Sequence, residues 1–199
     1  MYQAVGSPGS RLTRVLWMLE ELGEPYEIVK AGPRSETMYR YNPSGKMPAL
    51  VDGDLIVTDS AAICAYLAEK HADKGFGPKT AAERAEINSW LFFAQSEFEA
   101  PMWNKIKHRL LLPQELRVDV GPWTAMEFAR EVEALDAKLG ERDYALGERF
   151  TAPDIILGHC GQWSRSAKFA VESDRVAAYF DRVLSRPALA RTKEREATA

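Results

Sequence analysis

The chain has 199 residues, 46% hydrophobic and 28% charged, with 26 basic against 29 acidic side chains and a formal net charge of −3. Such a composition fits a soluble globular protein of one large domain or two small ones and argues against nucleic acid or an anionic membrane surface as the main partner. No apolar run approaches the roughly 20 residues of a membrane span, and the opening MYQAVGSPGSR lacks the basic start and apolar core of a secretory signal, so a cytoplasmic protein is expected.

Met1–Gly6 is short and mildly apolar and reads as a first strand, followed by the loop Ser7-Pro8-Gly9-Ser10. From Arg11 a helical period appears. Leu12, Val15, Leu16, Leu19 and Leu22 share one face, Gly23 supplies the cap and Pro25 the stop. Tyr26–Lys30 reads as a second strand, and a short helix is expected around Glu36–Tyr41 within the otherwise irregular stretch 31–45.

The stretch Lys46–His71, KMPALVDGDLIVTDSAAICAYLAEKH, reads as strand, tight turn, strand, helix. Met47–Val51 is apolar, Asp52-Gly53 is a type I′ hairpin pair, and Leu55-Ile56-Val57 returns. Thr58-Asp59-Ser60 offers capping side chains to a helix carrying Ile63, Tyr66 and Leu67. Pro48 stands where a central strand should begin and its missing N–H should be costly. A cis Met47–Pro48 bond would turn the chain and leave the Met47 backbone facing away from the sheet, free to pair with an extended peptide. Asp59-Ser60 opens a helix, where backbone N–H groups and the helix dipole favour a carboxylate. Together these features describe a site for a small peptide with an anionic end; an edge-strand proline and a routine N-cap are the alternative.

His71–Lys79 (HADKGFGPK) is glycine-rich and polar and reads as a linker, after which no strand signal returns. The expected domains are therefore an α/β unit over 1–74 and an all-helical one over 80–199. Thr80-Ala81-Ala82-Glu83 is a capping box starting a long helix with Ile87, Trp90, Leu91, Phe93 and Ala94, which Pro101 should kink or end. Helical patterns resume over Met102–Leu112 and Trp123–Leu139, the latter capped by Gly140. Phe150 and Ile155 can form a hydrophobic staple around Thr151 as N-cap, Asp154 closes a capping-box pair, and Pro153 is tolerated in the first turn. Asp154 accordingly reads as structural. Ile155–Trp163 is apolar on nearly every side and marks the centre of the second domain. Val176–Leu184 reads as a last helix ended by Pro187, leaving ARTKEREATA as a loose tail.

Cys64 and Cys160, the only cysteines, lie in helical apolar patterns with no CxxC and no His or Cys at metal spacing, so they read as inert buried thiols and no metal is expected.

The segments SPGSRLTRVLWMLEELGEPYEIV (Ser7–Val29), NPSGKMPALVDGDLIVTDSAAICAYL (Asn42–Leu67) and GERFTAPDIILGHCGQW (Gly147–Trp163) together resemble the cytosolic glutathione transferases, of bacterial and serine type. The resemblance implies a thioredoxin-like N-terminal domain with a cis-proline, followed by an all-helical C-terminal domain. It further implies glutathione as co-substrate, a homodimer, and a small hydrophobic electrophile as second substrate, bound between the domains. In that family Met47 would pair with the cysteinyl backbone of glutathione beside Pro48. Asp59 and Ser60 would hold the γ-glutamyl end, and Lys46 would sit near the glycyl carboxylate or the cysteinyl backbone.

The family's reaction needs a thiolate, which is a small fraction of a thiol with pKa about 8.5 at neutral pH. A hydroxyl donor at the start of the first helix, aided by the helix dipole, can shift that balance without a general base. Ser10 falls where several classes place their serine or cysteine, Gly9 lies one place away where others place theirs, and Ser7 is the second candidate. Arg11 would add positive potential. Tyr2 is too close to the N-terminus to match the tyrosine-type classes, and no cysteine occurs in the loop, so a serine-type transferase or peroxidase remains. Phe93, Glu97, Trp103 and Trp163 are candidate walls for the electrophile. A glutathione-dependent isomerase, dehalogenase or lyase, and a non-catalytic binding or scaffold protein, are the competing readings.

Overall fold

The computed structural model describes residues 1–199. Strands β1 (Tyr2–Gly6), β2 (Tyr26–Lys30), β3 (Ala49–Asp52) and β4 (Leu55–Thr58) form one sheet in the order β2-β1-β3-β4. Helix α1 (Leu12–Leu22) returns the chain so that β2 pairs parallel to β1, from Tyr2↔Tyr26 to Gly6↔Lys30. β3 runs antiparallel to β1 and pairs with β4. Between β2 and β3 lies α2 (Glu36–Tyr41), and α3 (Ser60–Lys70) follows β4. This is the expected thioredoxin-like arrangement.

The hairpin turn sits one residue later than the Asp-Gly pair suggested. Asp52 pairs with Leu55 inside the ladder, so Gly53-Asp54 forms the loop, and only Gly53 (φ 60) is left-handed. That sign pattern is type II′ rather than I′. The cause lies in α3, where Tyr66 donates to Asp52 and Lys70 pairs with it, holding Asp52 in the strand.

The remaining elements are helical: α4 (Ala81–Phe92), α5 (Ala100–Ile106), α6 (Gly121–Leu139), α7 (Ala152–Ser166), α8 (Asp174–Leu184) and α9 (Pro187–Thr198). The chain forms two compact units, one of Met1–Arg84 with Ser185–Ala199, the other of Ala85–Leu184. The expected boundary therefore moves. HADKGFGPK is docked against the first unit, and a Cβ at Gly77 would come within 2.7 Å of the Ala68 carbonyl oxygen.

The C-terminal segment is likewise helical where a loose tail was expected. Pro187 sits in the first turn of α9, a position where its missing N–H costs nothing, so it starts this helix as well as ending the previous one. Ala188, Leu189 and Thr192 are buried and α9 packs on α1. The polar side is tied down by charge: Arg186 donates to both oxygens of Glu21 at 2.5 and 2.7 Å, and Arg191 pairs with Glu20 at 2.9 Å. With α3 and the sheet also against it, α1 is buried on nearly every side, including Arg14 and Trp17.

In the second unit, π-helical turns at Phe93–Phe98 and Lys107–Leu111 flank α5. The first is where Pro101 interrupts the ladder: Glu99 N–H reaches back five residues to Ala94 (3.0 Å) just before the proline enters the first turn of α5. Phe98 is the hub of the core, its ring against those of Phe93, Phe128 and Phe180. Every residue from Ala152 to Gly161 is buried, as the unbroken apolar pattern of α7 requires.

Candidate functional site

The register of the sheet brings the central features to one end. Val5, Ala49 and Thr58 lie in one row across β1, β3 and β4. The next residues off that row are therefore Gly6 and the Ser7–Ser10 loop, Pro48, and Asp59. The Met47–Pro48 bond is cis, and the ladder begins only at Ala49, leaving the Met47 backbone outside the sheet. Met47 packs its side chain beside Gly6, with its Cβ 3.5 Å from where a Cβ on that glycine would lie. Its partly buried side chain also packs on Val5, Ala31, Met38 and Ala49.

Asp59 caps α3. Its Oδ1 accepts from Ala61 N–H at 2.9 Å and Ala62 N–H at 3.3 Å, and its backbone is held at φ 74, which a non-glycine residue adopts only when its surroundings enforce it. Ser60 is buried at the first helical position. One residue that sequence reading missed stands beneath it: Arg14 of α1 is fully buried and donates from Nη1 to Ser60 Oγ at 3.1 Å. This buried cation lies at the positive end of α3, strengthening the site's preference for a carboxylate.

Lys46 is exposed, at the end of the loop Asn42-Pro43-Ser44-Gly45. Asn42 organises that loop, donating to the Lys46 carbonyl at 2.8 Å and accepting from Ser44 N–H at 3.0 Å. Arg34 N–H donates to the Gly45 carbonyl at 2.8 Å, so the Arg34 backbone, left-handed at φ 59, is anchored to this loop. Glycine is required at 45, since a Cβ there would lie 2.8 Å from the Tyr39 ring.

Both candidate serines are engaged by the backbone. Ser7 Oγ donates to Ala31 C=O at 3.0 Å, tying the loop to the end of β2. Ser10 Oγ donates to Ser7 C=O at 2.7 Å and accepts Leu12 N–H at 3.1 Å, so it takes up the first N–H of α1 from one residue before the N-cap, Arg11. Arg11 follows, half-buried at the helix start. Rotation about one bond frees the Ser10 proton, whereas freeing that of Ser7 releases the loop from β2.

The four candidate electrophile residues lie in the second unit and do different things. Phe93 is buried against Trp90 and Phe98 and serves the aromatic core. Glu97 is exposed on the same π-helical turn, and Trp103 is half-buried on α5. Trp163 is half-buried on α7, its ring 4.8 Å from that of His159. No group of His, Cys, Asp and Glu side chains in the chain could hold a metal ion, and no helix is long and apolar enough to cross a membrane.

Cys64 is fully buried and its Sγ lies 3.6 Å from the Arg14 carbonyl; burial pushes its thiol up to about 12, against a smaller opposing pull from the Arg14 charge. Cys160 is as deeply buried. Iodoacetamide at neutral pH is therefore expected to leave the native chain unmodified by mass and to add two groups once the chain is unfolded. A fast single addition to the native protein would contradict this.

Residues 2–75 match the family model described as the glutathione S-transferase N-terminal domain. The chain is 31% identical over 153 residues to glutathione S-transferase 3 of Zea mays, spanning 72% of this chain and 68% of that protein. It is 28% identical over 199 residues to glutathione S-transferase F13 of Arabidopsis thaliana, spanning 89% and 87%. Among solved structures, Ure2p5 from Phanerochaete chrysosporium, cocrystallized with 1-(S-glutathionyl)-2,4-dinitrobenzene, superposes with a TM-score of 0.86 at 24% identity, covering 99% of this chain and 94% of that one.

Proposed function

Because the chain belongs to the glutathione S-transferase family, we propose that this enzyme ionises the glutathione thiol through Ser10 and transfers the sulfur to a small apolar electrophile. The observation that carries this reading is the shared end of the sheet, where the Met47 backbone, the Asp59-Ser60 helix start and the Ser7–Ser10 loop converge. Glutathione is an extended tripeptide with an amine and two carboxylates. Its cysteinyl backbone pairs with Met47 beside Pro48. Its γ-glutamyl carboxylate takes the N–H end of α3 at Ser60, and the adjacent amine takes the Asp59 carboxylate. Lys46 attracts the glycyl carboxylate. The sulfur then faces the start of α1, where the Ser10 hydroxyl and the dipole of that helix favour the thiolate.

The thiolate attacks the electrophilic carbon, a carbon–sulfur bond forms and the leaving group departs with its electron pair. Ser7 acts on the loop rather than on sulfur. The enzyme works as a cytoplasmic homodimer, to which the exposed Leu55 and Ile56 of β4 contribute apolar surface.

Calorimetric titration with glutathione, paired with turnover of 1-chloro-2,4-dinitrobenzene, tests the assignment. Asp59→Ala is expected to weaken glutathione binding by roughly tenfold to a hundredfold, the loss of one charge-assisted contact. Unchanged affinity in that variant would remove Asp59 from the site.

A further inference from the structure

The Ser7–Ser10 loop is held by side chains at two places outside its own hydrogen bonds. One is the Ser7 contact with Ala31. The other comes from the C-terminal helix: a single oxygen of Glu196, Oε1, accepts from Gly9 N–H at 3.0 Å and from Thr13 Oγ1 at 2.7 Å. Glu196 is half-buried while its neighbours from Lys193 to Ala199 are exposed, so α9 turns this one carboxylate of its last turns inward. It clasps the residue before Ser10 and the residue three after it, fixing both flanks of the hydroxyl.

We propose that Glu196 is a positioning residue for thiol activation, setting where the Ser10 hydroxyl stands relative to the glutathione sulfur. This rests on the reading of Ser10 as the thiol's hydrogen-bond donor. Gly9 is left-handed (φ 73), has no side chain of its own to pack, and apart from its chain neighbours has nothing within 4 Å of where a Cβ would be. The hydrogen bond from its N–H to Glu196 therefore does much of the positioning, and a displacement of about 1 Å in a catalytic donor can cost on the order of a hundredfold in rate. The work belongs to the acceptor geometry of Glu196, not to its charge. Its negative charge, standing near the start of α1, opposes a thiolate there if it acts at all.

The test compares pH–rate profiles for conjugation of 1-chloro-2,4-dinitrobenzene, run well below the melting temperature of every variant. Glu196→Ala is expected to lower kcat/KM about tenfold and to raise the pKa of the bound thiol by about one unit, with KM for glutathione unchanged. Glu196→Gln keeps an oxygen that accepts both bonds and is expected to restore the profile. In a Ser10→Ala background the further change to Glu196→Ala is expected to add nothing. A wild-type profile for Glu196→Ala, or additive effects in the double variant, overturns the positioning role. A profile unmoved by Ser10→Ala alone instead overturns the reading on which it rests.

Discussion

Replacing Asp154 by alanine is expected to lower the stability of the folded chain by about 3–5 kcal/mol, measured by urea unfolding at pH 7. The carboxylate is fully buried at the start of α7 and accepts four hydrogen bonds. Ala145 N–H and Thr151 N–H reach it at 2.8 Å each, Tyr179 O–H at 2.8 Å and Thr151 O–H at 3.1 Å. Alanine would strand two buried backbone N–H groups, at about 1–3 kcal/mol each, and remove the cap. The two hydroxyls can turn elsewhere, so they add less. A loss below about 1 kcal/mol would mean that the 144–151 turn rearranges to satisfy its own donors.

The same residue makes stability depend on pH. Burial pushes Asp154 up to about 6, outweighing the four donated bonds, which pull it down. Between about pH 4 and pH 6 the folded chain therefore holds a proton that the unfolded chain, with an ordinary carboxyl near 3.9, has released. The contribution is complete below about pH 4 and is lost as pH rises through 6, amounting to about 3 kcal/mol. Asp154→Asn cannot titrate. Its stability deficit relative to the native chain is expected to shrink by that amount from pH 4 to pH 7, and a constant deficit would place the folded carboxyl near its unfolded value.

Much of this architecture was legible because local signals agreed with the tertiary outcome. The apolar period of α1, the bounds of β2 and α2, and the Thr151–Asp154 capping pair all arise from neighbours a few residues apart. What was hidden depended on distant partners. The Asp52-Gly53 pair reads as a hairpin by itself; only Tyr66 and Lys70, a helix away, hold Asp52 in the strand. The polar run after Pro187 carries little apolar signal, and its order comes from α1, against which Ala188 and Leu189 are buried and whose Glu20 pairs with Arg191. Arg14 shows the limit most sharply: periodicity cannot tell an arginine that faces water from one buried beneath Ser60. Of the candidate site, Pro48 is legible because a proline at the start of a central strand breaks a local rule, and Asp59-Ser60 because an acid and a hydroxyl are the side chains a helix start favours. Glu196 breaks none.

Ser10→Ala is expected to raise the pKa of the enzyme-bound glutathione thiol by one to two units and to lower kcat/KM at neutral pH by roughly tenfold to a hundredfold, with little change in KM for glutathione. At rest the Ser10 proton sits on the Ser7 carbonyl at 2.7 Å. Turning to a thiolate exchanges a neutral acceptor for a charged one, and hydrogen bonds to charged groups are worth about 1.5–3 kcal/mol. That bond exists only with the ionised sulfur, so its loss appears in the thiol pKa and the rate rather than in ground-state binding. The substitution also removes the acceptor for Leu12 N–H, at a cost in stability of about 1 kcal/mol, which melting curves would separate from the chemical effect. Ser7→Ala is expected to leave the thiol pKa nearly in place, since that hydroxyl serves the Ala31 carbonyl. If the Ser7 variant shifts the profile while the Ser10 variant does not, the two serines exchange roles. If neither shifts it, the thiolate is held by the backbone N–H groups and dipole of α1 alone.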